Sequence, residues 1–169
     1  MRLLKRLFQA PDRGAAPILY AAIVARGREA HWYEAGGVPD TIDGRFDMIA
    51  AVMSLVLLRL EQDPQAIPFS TQLTEVFIDD MDGQLRQIGI GDIVVGKHVG
   101  KMMGMLGGRL GAYRDALAAG TFGEALVRNL YRGEVPAPEA LAHVETALRA
   151  FHARLAGEPA AALLAGELA

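Results

Sequence analysis

The chain has 169 residues, 51% of them apolar and only 7% aromatic, with a net charge of -3 and a pI near 5.8. That length suits one domain with a real core, and the slight acidity argues against a general polyanion binder. Cysteine is absent, which excludes disulfides, zinc–thiolate sites, iron–sulfur clusters and cysteine nucleophiles.

The N-terminus, MRLLKRLFQA, sets Leu3, Leu4, Leu7 and Phe8 against Arg2, Lys5 and Arg6. Lys5 and Arg6 interrupt any signal-peptide core, and residues 1–14 read as a short basic amphipathic segment. Two roles are open for it: contact with an anionic membrane or ribosome surface through residues 2–8, or a start that packs on the domain. Pro11–Gly14 is a break. Ala15–Ala25 reads as an apolar helix with Pro17 in its first turn and Gly27 after its end. His31-Trp32-Tyr33 and 36–44 read as irregular links. Asp43 is placed to cap a helix over Arg45–Glu61, apolar on most of its surface and therefore central. Its Met48–Leu58 is the longest uncharged apolar run, eleven residues, too short to span a membrane.

Asp63-Pro64 and Pro68 bound a loop. Ser70 is placed to cap a helix to about Gln87, with Leu73, Val76, Phe77, Met81 and Leu85 as its apolar stripe. Asp79, Asp80 and Asp82 cluster on it, and Asp82 and Arg86 are spaced as an i,i+4 pair. Gly89 and Gly91 make a corner, and Asp92 caps the next helix. That helix gathers Val95, Val99, Met102, Met103, Leu106, Leu110 and Tyr113 on one face, with Lys97 and Lys101 at its edge. Thr121 and Glu124 form a capping box before Ala125–Tyr131, with Gly133 as a stop. Pro138 opens a last amphipathic helix to about Gly157, and 158–169 is an Ala/Leu-rich tail. The sum is an all-α, single compact multi-helix domain of about six to eight helices over residues 15–157.

Glycines 96, 100, 104 and 108 recur every fourth residue, with Gly107 and Gly111 beside them. Each costs a helix roughly 1 kcal/mol relative to alanine. Three explanations are open: close approach of a helix of this domain, close approach of a partner helix, or a helix kept loose. The first predicts a neighbour lying against Gly96, Gly100 and Gly104.

The chemical motifs fail on inspection. Gly91–Lys97 spells G-x-x-x-x-G-K, but His98 stands where magnesium needs Ser or Thr, and helix rather than strand precedes it. The Asp79–Asp82 cluster does not fit an EF-hand register, and the four histidines (31, 98, 143, 152) make no ligand spacing. Gly-x-Ser-x-Gly is absent. No catalytic residue, metal site or cofactor is assigned. A helical scaffold for another membrane or ribosome/RNA partner stays open as an alternative, and a nucleotide-binding enzyme using Gly91–Lys97 as a remoter one.

Several segments together resemble the ubiquinol–cytochrome c chaperone family, the cytochrome b assembly factors of mitochondria and alphaproteobacteria. They are Leu19-Tyr20, Trp32-Tyr33, the run Asp40–Asp47, Asp79-Asp80-Met81-Asp82, Leu85-Arg86, Gly89–Asp92, Val95-Gly96-Lys97, Gly108-Arg109, Tyr113 and Arg128-Asn129 near Tyr131. The likeness covers roughly residues 17–132. It implies a non-enzymatic domain that binds newly made cytochrome b and helps assemble ubiquinol–cytochrome c reductase, beside a second assembly factor and, in mitochondria, the ribosome. A bacterial member would be cytoplasmic, peripheral to the inner membrane. Within that resemblance Arg45, Phe46, Gly96, Gly108 and Tyr113 are expected to be structural. Asp79, Asp80, Asp82, Arg86, Asp92, Lys97, Lys101 and Arg109 are candidates for a polar partner surface. The competing expectation is an internal network with Arg45 or Arg109 paired to the Asp cluster.

Overall fold

A computed structural model describes residues 13–87 and 92–168. Among them are eight α-helices and no strand. They are α1 (Ala16–Gly27), α2 (Ala30–Glu34), α3 (Ile42–Leu60), α4 (Ile67–Gln87), α5 (Asp92–Ala119), α6 (Phe122–Asn129), α7 (Pro138–Gly157) and α8 (Ala160–Leu164), with a 3-10 turn at Pro64–Ala66 before α4.

Helix α3 organises the rest. Every residue from Phe46 to Leu58 is buried, because α1, α4, α5 and α7 pack around it. A helix apolar on all sides has no solvent face to offer and settles in the centre. Ser54, the one hydroxyl there, is satisfied by donating to the Ala50 carbonyl at 2.7 Å. Gly27 lets α1 cross α3 closely, since a Cβ there would stand 3.1 Å from the Ile49 Cα.

Helix ends differ from expectation at three places. The α3 cap is Thr41, whose Oγ1 accepts from the Gly44 amide at 3.1 Å, so the helix begins before Asp43. Helix α4 begins at Ile67 and holds Ser70 inside it. Asp63 instead caps the 3-10 turn, accepting from Gln65 N at 3.0 Å. The Thr121–Glu124 capping box does not form. Thr121 sits at φ -105°, ψ 31°, outside the extended region from which a cap hydroxyl reaches back to the helix amides.

The link at 31–33 is a short helix with a purpose. Trp32 Nε1 donates to the Arg26 carbonyl at 2.7 Å and the Tyr33 hydroxyl to the Gly27 carbonyl at 2.6 Å. These are the carbonyls that the end of α1 leaves without helical partners. Arg59 does the same for α7, donating to the Leu155 and Glu158 carbonyls at 2.9 and 2.7 Å. Residues 158–168 fold back onto α1, with Leu163 buried in the core and the Leu168 carbonyl accepting from Arg26.

Candidate functional site

Beneath the α5–α6 side of the domain lies a buried charge. Asp47 of α3 is wholly buried, yet it faces two arginines. Arg109 of α5, 5% exposed, donates from Nη2 to its Oδ1, and Arg132 donates from Nε to its Oδ2 at 2.6 Å. Arg109 also donates to the Asn129 carbonyl at 3.2 and 3.3 Å and lies over the Phe46 ring. Arg132 reaches on to Asp43 at 2.9 Å. Burial pushes the Asp47 carboxyl up from its ordinary value, against the pull of both guanidiniums. Arg132 is held with φ 55°, a left-handed backbone that side chains other than glycine rarely adopt. Two buried polar atoms nearby, Arg109 Nη1 and the Tyr113 hydroxyl, have no partner.

The arginines also line a groove of ≈ 350 Å³ between α5 and α6, with Met105, Gly108, exposed Arg128 and Asn129. Gly108 joins it to the glycine face of α5. At Gly100, Gly104, Gly107, Gly108 and Gly111 an added Cβ would meet nothing within 4 Å. Among the described residues, then, no close internal neighbour stands at Gly100 or Gly104; the surroundings of Gly96 lie outside them. Half-buried Met102, Met103 and Met105 alternate with these glycines, and Lys97 and Lys101 are exposed at the face's N-terminal end.

The other expected site residues are scattered. Asp79, 62% exposed, pairs with Arg13 at 2.6 Å, and Asp80 accepts from the Tyr20 hydroxyl at 2.7 Å. Asp82 is half-buried. Asp79 and Asp80 thus turn toward Arg13 and α1, while Arg45 pairs with Asp40 at 2.6 Å and Arg109 with Asp47. An internal network exists, but with other partners than expected, and Arg109 belongs to the core rather than to an open surface. Phe46 and Tyr113 are buried, Tyr113 edge-on to Phe122 at 5.5 Å. Gly108 is exposed rather than packed. The side chains of Arg86 and Asp92, the corner at 88–91 and residues 2–8 lie outside the described residues. Residues 92–97 are helical and α4 leads toward them, so the G-x-x-x-x-G-K spelling has neither its loop nor its preceding strand there.

Sequence reasoning passed over Asp47, Arg128 and Arg132. Asp47 carried a signal: an acid that begins the apolar run of the central helix requires a buried cation. It also missed His31 Nδ1 and His143 Nε2 meeting at 2.9 Å, with Glu29 at 3.0 Å from His31 Nε2. Among the described residues no group of three or more His, Asp or Glu side chains is arranged to hold a metal, and no helix is long and apolar enough to cross a membrane.

The described residues form an all-α domain whose longest helix carries an open glycine face bordered by half-buried methionines. The profile of the ubiquinol–cytochrome C chaperone family matches residues 34–169, and the chain belongs to that family. The match reaches α7 and α8, beyond the span where the sequence likeness was legible. A solved structure similar to it is the crystal structure of the Cbp3 homolog from Brucella abortus, 29% identical, covering 99% of this chain and 94% of that one at a TM-score of 0.80. Among the curated proteins no sequence matches the chain.

Proposed function

We propose that this chain is a non-enzymatic chaperone that binds newly made cytochrome b and promotes its assembly into ubiquinol–cytochrome c reductase. Family membership supports the chaperone role. The observation that carries binding to a membrane subunit is the open glycine face of α5. Its five glycines, Gly100, Gly104, Gly107, Gly108 and Gly111, forgo on the order of 5 kcal/mol of helix propensity relative to alanine. That is comparable to the whole stability of many domains. Among the described residues no packing repays it, since none of them lies within 4 Å of where the missing side chains would stand. A surface without side chains admits an apolar helix closely, and methionine adapts to varied partners. The chain would act in the cytoplasm at the inner membrane, held peripherally by residues 2–8, beside a second small assembly factor and the ribosome.

Crosslinking from intact membranes, with partners identified by mass, tests this. Cytochrome b is expected among the products, and assembled reductase is expected to fall in a deletion strain. Normal reductase in that strain would end the proposal.

A further inference from the structure

We propose that the α5–α6 groove is a carboxylate site, which takes one Asp or Glu side chain of an apolar partner helix laid along the glycine face. The inference rests on the chaperone reading above and adds what the surface selects.

Its floor is Arg109, whose Nη2 and Nε are engaged by Asp47 and Asn129 while the buried Nη1 has no hydrogen-bond partner among the described residues. A buried guanidinium N–H without an acceptor is costly and marks where one is wanted. The rim is Arg128, exposed, with no hydrogen-bond or ion-pair partner among the described residues. The third cation, Arg132, sits on a strained left-handed backbone that keeps it over Asp47 and Asp43.

Charge decides the class of ligand. The charged residues that line the groove are all cations, Arg109, Arg128 and Arg132; Asp47 and Asp43 answer two of them, and Asp115 lies across the neighbouring hollow that Arg128 and Asn129 share. A planar monoanion suits the groove, because guanidinium matches carboxylate in shape and spacing. A phosphate dianion would set its second charge against Asp47 and Asp43. A polyanion gains no long-range attraction from a chain of net charge -3. The geometry then selects the carrier: Gly108 lies both in the groove and on the open face, so a backbone resting on Gly104, Gly107 and Gly111 brings a side chain to the arginines.

The test uses the full chain and two fluorescent Ala/Leu helical peptides, identical except for one central Glu or Gln. By anisotropy the Glu peptide is expected to bind about tenfold more tightly, a charge-assisted hydrogen-bond effect. Arg128→Ala, with an unchanged melting temperature, should bring that ratio to about one, and Gly104→Leu should weaken both peptides alike. Equal binding of the two peptides by the wild type overturns the proposal, as does a preference that survives Arg128→Ala. So does displacement of the Glu peptide by inorganic phosphate or phosphatidylglycerol vesicles but not by acetate. A parallel cytochrome b pull-down separates the two readings. Peptide discrimination without cytochrome b capture leaves the site standing and sinks the chaperone reading; capture without discrimination does the reverse.

Discussion

Replacing Arg109 by methionine keeps a long apolar side chain at that position but removes the guanidinium that lies over the Phe46 ring and faces Asp47. Removing one partner of a buried ion pair costs about 3–5 kcal/mol, because the other charge is left uncompensated. Arg132 still donates to Asp47 at 2.6 Å, so the lower end, about 3 kcal/mol, applies. For a domain this long that lowers the melting temperature by roughly 6–12 °C. The loss must depend on pH. Burial already raises the Asp47 carboxyl above its ordinary value of about 3.9, and losing one of the two guanidiniums that lower it raises it further. An acid whose folded value lies above its unfolded value holds its proton more readily in the folded state. Its contribution to stability is complete below the unfolded value and is lost as pH rises through the folded one. The variant therefore loses more than the wild type between about pH 4 and pH 7. Thermal melts followed by circular dichroism at both pH values measure the difference, and adding Asp47→Asn to the variant should recover part of the loss. A cost below about 1 kcal/mol at neutral pH, or one equal at both pH values, would refute the placement of Asp47.

Two glycine substitutions should move stability in opposite directions. Gly44→Ala sets a Cβ into the Pro39 carbonyl, whose carbon would lie 2.9 Å away, and should cost about 3 kcal/mol in denaturant melts. Gly104→Ala, on the open face, should stabilise by about 0.5–1 kcal/mol in the same assay. The four tyrosines give an independent check by ultraviolet titration. Burial raises Tyr20, Tyr33, Tyr113 and Tyr131 alike, Tyr131 to about 12, and Asp80 raises Tyr20 further. Since the folded state favours the protonated phenols, their contribution is lost as pH rises above about 10, and phenolate absorbance should appear only together with alkaline unfolding.

What the sequence made legible follows from one kind of information, local pattern. The uniform apolarity of Met48–Leu58 placed α3 in the centre, and Pro138 and Gly157 marked the two ends of α7. The α3 start and the α6 cap differ from expectation because capping depends on backbone angles at one residue: Thr41 at ψ 168° is extended and caps, whereas Thr121 at ψ 31° does not. The charged residues were harder. Asp79, Asp80 and Arg109 look alike in a sequence, yet Asp79 and Asp80 meet α1 near the surface while Arg109 enters the core. The difference lies in which face of each helix its neighbours cover, and that is a tertiary fact.

The glycine ladder shows the same limit most sharply. A helical wheel establishes that Gly100, Gly104, Gly107, Gly108 and Gly111 share a face, but not whether anything covers it. Among the described residues the glycines pressed closely against backbone are elsewhere, at Gly27, Gly36 and Gly44, in no repeat at all. Packing glycines arise singly where two particular elements happen to cross. A regular stripe with no neighbour among the described residues has the period that a straight helix of a second polypeptide would match, which is the premise of the binding proposal. On that argument Gly104→Ala is the decisive variant. Greater stability together with weaker capture of cytochrome b would separate folding from binding at one residue; unaltered capture with Leu as well as Ala there would remove α5 from the binding surface.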